Sequence, residues 1–157
     1  MDSDFLKMSL IETIPWVKMS DIRLDVFEKR HVRLSVPVKE KHLNHVGIVY
    51  AGTHFMLMEV AGAALFVSTY GIERFIPINK GMSIKYHKPA YTDLVCELTI
   101  SEADAEAKLR PVEEKGKGDW ILDMAVTDSA GMVVSTSLCN YYLISTEAGF
   151  APRAKEN

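Results

Sequence analysis

The stretch from His42 to Glu59 holds residues that could act together chemically. A turn at Asn44-His45-Val46-Gly47 leads into Tyr50-Ala51-Gly52-Thr53-His54, and an acidic side chain, Glu59, follows inside an otherwise apolar run. If that run is a helix, its first amides lack partners within it, and its macrodipole favours negative charge at that end. Gly52 at such a start could offer an N–H to a developing oxyanion. Glu59 lies seven residues later, close to two helical turns, so the two residues fall on the same side. Apolar neighbours such as Met56, Val60 and Ala63 would raise the carboxyl pKa and suit it to act as base or nucleophile. The plainer alternative puts Glu59 on the exposed edge of a core helix, because acidic residues are rarely buried without a partner. Periodicity leaves both open.

Other chemistries find less support. His42, His45 and His54 could be grouped with Glu59 around a metal, but no His-Glu-x-x-His run is present, and no metal is expected. A Gly-x-Ser-x-Gly elbow is missing, which argues against an α/β-hydrolase route to ester cleavage. Gly116-Lys117-Gly118 lacks the third glycine of a dinucleotide loop and reads as a turn. Cys96 and Cys139 are far apart and read as free core thiols of a cytosolic protein. His54 reads as a capping or packing residue that could also line the site beside Thr53. Met56, Met58, Leu65 and Phe66 either line an apolar tunnel with adaptable side chains or fill the core. Lys85, Lys88 and Arg74 either meet a bound anion or are solvated surface charges.

The elements that must position these residues follow from periodicity. In residues 3–14, Phe5, Met8, Leu10, Ile11 and Ile14 share one helical face, and Pro15 ends the segment. Val32, Leu34, Val36 and Val38 alternate with polar residues, the period of a half-buried strand, which begins near Leu24. Residues 52–70 are rich in Ala, Met, Leu and Phe, lack Pro and close on Gly71, so they form one long helix. At about 1.5 Å per residue it would reach roughly 28 Å. That length suits a membrane span, but His54 and Glu59 inside the run favour a buried central helix. Strand patterns then cover residues 82–87, 94–100, 121–127 and 132–144, with a tight turn at Asp128-Ser129-Ala130-Gly131. The polar residues 113–118 are expected to be a second hairpin loop, and the tail from Thr146 to fray.

These elements make an α+β domain, an antiparallel meander wrapped around one helix. A single domain is expected over residues 1–157, with a helical N-terminal extension over 1–20 and a frayed tail over 147–157. A hydrophobic fraction of 48% with 25% charged residues suits a globular core. A net charge of -3 without a Lys/Arg block argues against nucleic acid as a partner. The acidic start, Met1-Asp2-Ser3-Asp4, is unlike a signal peptide, so a cytoplasmic location is expected.

Asn44, Gly47, Tyr50-Ala51-Gly52 and Glu59 resemble the pattern of PaaI-like hotdog thioesterases, in which Asn, Gly, His-Gly-Gly and then Asp or Glu stand at this spacing. Ile84-Lys85-Tyr86-His87-Lys88-Pro89-Ala90 is similar to that family's strand after the helix, and the resemblance spans about residues 24–145. It implies a hotdog fold and hydrolysis of acyl-CoA to an acid and free CoA, with no cofactor. Glu59 would then activate water or attack the thioester, the Gly52 amide would polarise its carbonyl, and Asn44 would orient the water or the carbonyl. Tyr50, Ala51, Thr53, His54, Met56 and Lys88 are the expected substrate-binding residues. A homodimer or dimer of dimers is implied, because such sites form across a subunit interface. The departure is Tyr50-Ala51 in place of His-Gly: Ala tolerates positive φ poorly, and Tyr is no base near neutral pH. That departure motivates the alternative of a non-catalytic acyl-CoA or fatty-acid binding protein. A hotdog dehydratase would need an Asp/His dyad that Asn44 and His45 do not supply.

Overall fold

Alternation builds the first hairpin of the fold. Strands β1 (Arg23–Glu28) and β2 (His31–Val36) pair antiparallel, and β2 buries Val32, Leu34 and Val36 completely between outward polar residues. One strand was expected from Leu24 onward, but the chain reverses at Lys29-Arg30, with Arg30 at φ +65. A left-handed arginine is a turn residue with no Gly or Asn signal. The structure, a computed structural model, describes residues 10–148.

Most of the expected N-terminal helix over 3–14 lies outside the described residues, although Leu10 and Ile11 are helical. Pro15 begins helix α1 (Pro15–Met19) instead of ending a helix. Its missing N–H is harmless in a first turn. The long helix α2 (Ala51–Tyr70) is buried on nearly every side, with Leu57, Met58, Ala61, Ala64 and Phe66 fully inaccessible. By length and composition α2 could cross a membrane, but 61% of its most apolar window is buried inside the protein. It is the core helix around which the sheet curls.

After α2 come β3 (Phe75–Tyr86), β4 (Leu94–Thr99), β5 (Lys117–Thr127) and β6 (Val133–Ser145). The six strands form one antiparallel sheet in the order β1-β2-β4-β5-β6-β3. This corrects the expected meander, since β3 crosses to the far edge and pairs with β6. The expected β5–β6 turn forms, closed by Asp128 Oδ1, which accepts from the amides of Ala130 and Met132.

The hairpin loop expected over 113–118 is instead the end of a second long helix, α3 (Glu102–Lys115), between β4 and β5. Ser101 caps it by accepting from Asp104 N at 3.0 Å, and Gly116 stops it in the left-handed region at φ +69. Ala105, Leu109 and Val112 face inward, while exposed Pro111 sits inside the helix. Tyr70 fastens α3 to the core: its hydroxyl donates to Ala105 O at 2.8 Å and accepts from Trp120 Nε1 at 3.3 Å. The tail beyond residue 148 lies outside the described residues, and Thr146–Ala148 form a 3-10 turn.

Candidate active site

The start of α2 is set by the loop before it. Asn44 Oδ1 accepts from the amides of Val46 (3.0 Å) and Ile48 (3.3 Å), and Gly47 takes φ +79 to complete the turn. Tyr50 N then donates to His42 O at 2.8 Å, and Val49 N to Ala90 O at 2.9 Å, which fixes the angle of entry. Asn44 is therefore engaged in shaping the loop through its carbonyl oxygen.

Tyr50 is the N-cap, with no side-chain cap bond, and the amides of Ala51 and Gly52 make no hydrogen bond among the described residues. Two donors remain at the positive end of the helix dipole. Ala51 is the first helical residue and Gly52 the second, and neither has a positive φ. The concern that Ala in place of Gly would strain the backbone does not hold here. What Gly52 supplies is space: a Cβ there would lie 2.5 Å from Tyr50 Cε1, because the tyrosine ring rests against it.

Glu59 lies about two turns further along, and helical side chains lean back toward the N-terminus. It is partly buried, its carboxylate makes no hydrogen bond or ion pair among the described residues, and burial raises its pKa. It faces a groove of about 610 Å³ that Tyr50, Gly52, Thr53, Phe55 and Met56 also line. Trp16, Val17 and Met19 of α1, with Ile22 and Val36, line the same groove. The structure thus brings Glu59, Gly52, Tyr50, Thr53 and Met56 to one groove.

The other expected residues lie elsewhere. His54 is 2% exposed and points to β6, where Nδ1 and Ser135 Oγ are hydrogen-bonded at 2.8 Å, and Tyr86 at the end of β3 packs edge-on against its ring. Burial lowers its pKa to about 4, so the ring is neutral. The exposed Ala51 gives its carbonyl to the Tyr86 hydroxyl at 3.1 Å. Lys88 is exposed in the β3–β4 connection, away from the groove. Met58, Leu65 and Phe66, weighed above as tunnel residues, are fully packed core. Among the described residues no His, Cys, Asp and Glu side chains gather as metal ligands.

Sequence reasoning gave no part in the groove to α1 or His42. Lys39 N donates to His42 Nδ1 at 2.9 Å, so Nε2 carries the proton and donates to Ser20 O at 2.9 Å. His42 ties α1 to the turn before α2. The exposed Trp16 beside Pro15 was the available signal.

Residues 3–143 match DUF4442, a domain of unknown function. The chain belongs to the DUF4442 family, and its fold is the hotdog fold. This DUF4442 chain is 32% identical to PA5026 of Pseudomonas aeruginosa, described as a protein of unknown function and probable thioesterase. The match covers 92% of this chain and 97% of that one, with a TM-score of 0.84. A mutant of the thioesterase PA1618 from the same organism shares the fold at 11% identity and a TM-score of 0.70, covering 92% and 95% of the two chains. A protein of unknown function from Chlorobaculum tepidum does so at 16% identity and 0.78, covering 90% and 93%. No match was found among curated proteins.

Proposed function

We propose that this DUF4442 protein is an acyl-CoA thioesterase whose base is Glu59. The observation that carries the reading is a desolvated, unpartnered carboxylate in the same groove that Gly52, with its free amide, also lines. In this reading the thioester carbonyl oxygen lies on the amide of Gly52, where the helix end stabilises the developing oxyanion. Glu59 takes the proton of the attacking water, and its raised pKa brings it nearer the working range of a general base. The tetrahedral intermediate collapses, the C–S bond breaks, Glu59 passes its proton to the departing thiolate so that CoA leaves as its thiol, and the acid is released. No cofactor enters this scheme. The description of PA5026 as a probable thioesterase supports the reaction class.

A homodimer belongs to the same proposal. β3 is an edge strand of twelve residues with Ile78 and Tyr86 exposed, and a long uncovered edge is a ready surface for a second strand. Sedimentation should then give twice the 17.6 kDa of the chain. The free, buried thiols of Cys96 and Cys139 accord with a cytoplasmic protein.

One observation favours the non-catalytic acyl-binding alternative: the Tyr50 ring rests on Gly52 and narrows access to the amides. Release of CoA from short, medium, long and aromatic acyl-CoAs, followed with a thiol reagent, separates the two. Turnover supports the thioesterase; acyl-CoA binding without release of CoA selects the alternative.

A further inference from the structure

The groove that holds Glu59 has a second half whose chemistry is different. On that side the walls are Trp16, Val17, Met19, Ile22, Val36 and Met56. The polar groups among them are already engaged within the fold. Ser20 Oγ donates to Val17 O at 2.6 Å, Lys41 Nζ to Met19 O at 2.7 Å, and both nitrogens of His42 are bonded. Thr53 Oγ1 donates to His42 O at 3.4 Å. A ligand entering here meets mainly apolar surface, with the Lys41 ammonium already holding Met19 O and Asp21, until it reaches Glu59 and the start of α2. A polar acyl group would lose more hydration than this surface returns, whereas a hydrocarbon chain gains by burial. A volume of about 610 Å³ is that of a single small-molecule site, too small for an acyl chain and the whole CoA nucleotide together.

α1 is built as a fixed wall. It is held at its C-terminal end by His42 and Lys41, and Lys39 and Lys41 both pair with Asp21 at 2.8 Å. Val17 is buried beneath it, yet Trp16 and Met19 are each 71% exposed at the rim. Large apolar side chains held at the mouth of a groove mark a binding surface.

We propose that the α1 half of the groove binds an unbranched aliphatic acyl chain, and that Trp16 and Met19 at its rim set the chain length accepted. The proposal rests on the thioesterase reading, since the chain must run from a carbonyl held between Gly52 and Glu59 toward α1.

The first test needs no turnover. The two tryptophans are Trp16 and Trp120, and Trp120 is fully buried, so contact quenching by a terminally brominated medium-chain alkanol reports on Trp16. Quenching should saturate, and Trp16→Phe should remove the saturable part. The second test is the chain-length series of acyl-CoAs with Trp16→Ala and Met19→Ala. Acetyl-CoA, whose acyl group is the shortest, should show the smallest loss. The loss in kcat/KM should grow by up to about fourfold for each methylene that loses its contact. Turnover with equal losses at every chain length would overturn the α1 site and leave the thioesterase reading intact. Saturable quenching without CoA release from any thioester would uphold the apolar site and overturn the reaction. No quenching, with Trp16 emission already that of a buried indole in the unliganded protein, would show that a second copy of the chain covers the groove.

Discussion

The hydroxyl of Tyr141, on β6, donates a 2.6 Å hydrogen bond to the main-chain carbonyl of Glu59 in the middle of α2. The same phenol lies against Gly62, where a Cβ would overlap its oxygen. Tyr141 is 1% exposed, and burial pushes its pKa well up, so it stays protonated and remains a donor. The turn of helix that carries Glu59 is thus fixed to the sheet by one buried tyrosine fitted to one glycine.

Tyr141→Phe should cost about 1 kcal/mol, which lowers Tm by roughly 2–4 °C in a domain of this size. Gly62→Ala should cost more, about 1–3 kcal/mol, because the buried phenol must move away from the new methyl. Thermal unfolding of both variants and their combination checks the contact. The double variant should lose less than the sum, since the phenol oxygen nearest the new Cβ is gone. Strict additivity would show that the two residues do not act as one contact.

His54 makes stability depend on pH. Its pKa is about 4 in the fold against 6.5 ordinarily, so between these values the unfolded chain binds a proton that the folded one excludes. Stability from this group is complete above about pH 6.5 and falls as pH drops toward 4, by at most roughly 3 kcal/mol. Urea midpoints measured across that window should show the fall, and His54→Gln should flatten it. An equal slope in the variant would assign the effect to other groups.

Much of this was legible beforehand because period and composition act locally. The helix 52–70, closed by Gly71, fixed which face Glu59 shares with Gly52, and the alternation in β2 fixed its buried side. α3 was missed although Ser101, Asp104 and Gly116 carry its start and stop signals, because the polar, glycine-containing run over residues 113–118 was read as a hairpin loop. The β1–β2 reversal was hidden by Arg30, whose left-handed backbone is dictated by strand pairing and not by residue type. The α1 wall of the groove depends on Ser20, Lys41 and His42 meeting across the fold, and no local pattern encodes that contact.

Glu59→Gln should make the protein more stable at neutral pH. Burial raises the Glu59 pKa above its ordinary 4.5, so the fold holds its proton more tightly than the unfolded chain, and stability is lost as pH rises through the folded value. Glutamine has no charge to desolvate. The gain in urea midpoint should be present near pH 7 and vanish below the ordinary carboxylate range. A variant less stable at neutral pH would mean that a partner stabilises the ionised form.

Gly52→Ala should displace the Tyr50 ring, which is 58% exposed and free to swing out, with little change in Tm. In a Tyr50→Ala background the same substitution should be silent in both stability and turnover. A loss of stability or turnover on adding Gly52→Ala to that background would mean that something other than the ring demands glycine there.

The most direct test of the central claim is the rate of CoA release by the wild type and by folded Glu59→Gln on the best acyl-CoA substrate. The account predicts a fall in kcat of roughly two to four orders of magnitude, with substrate binding retained and the far-ultraviolet circular dichroism unchanged. A glutamine variant that turns over at the wild-type rate would contradict it.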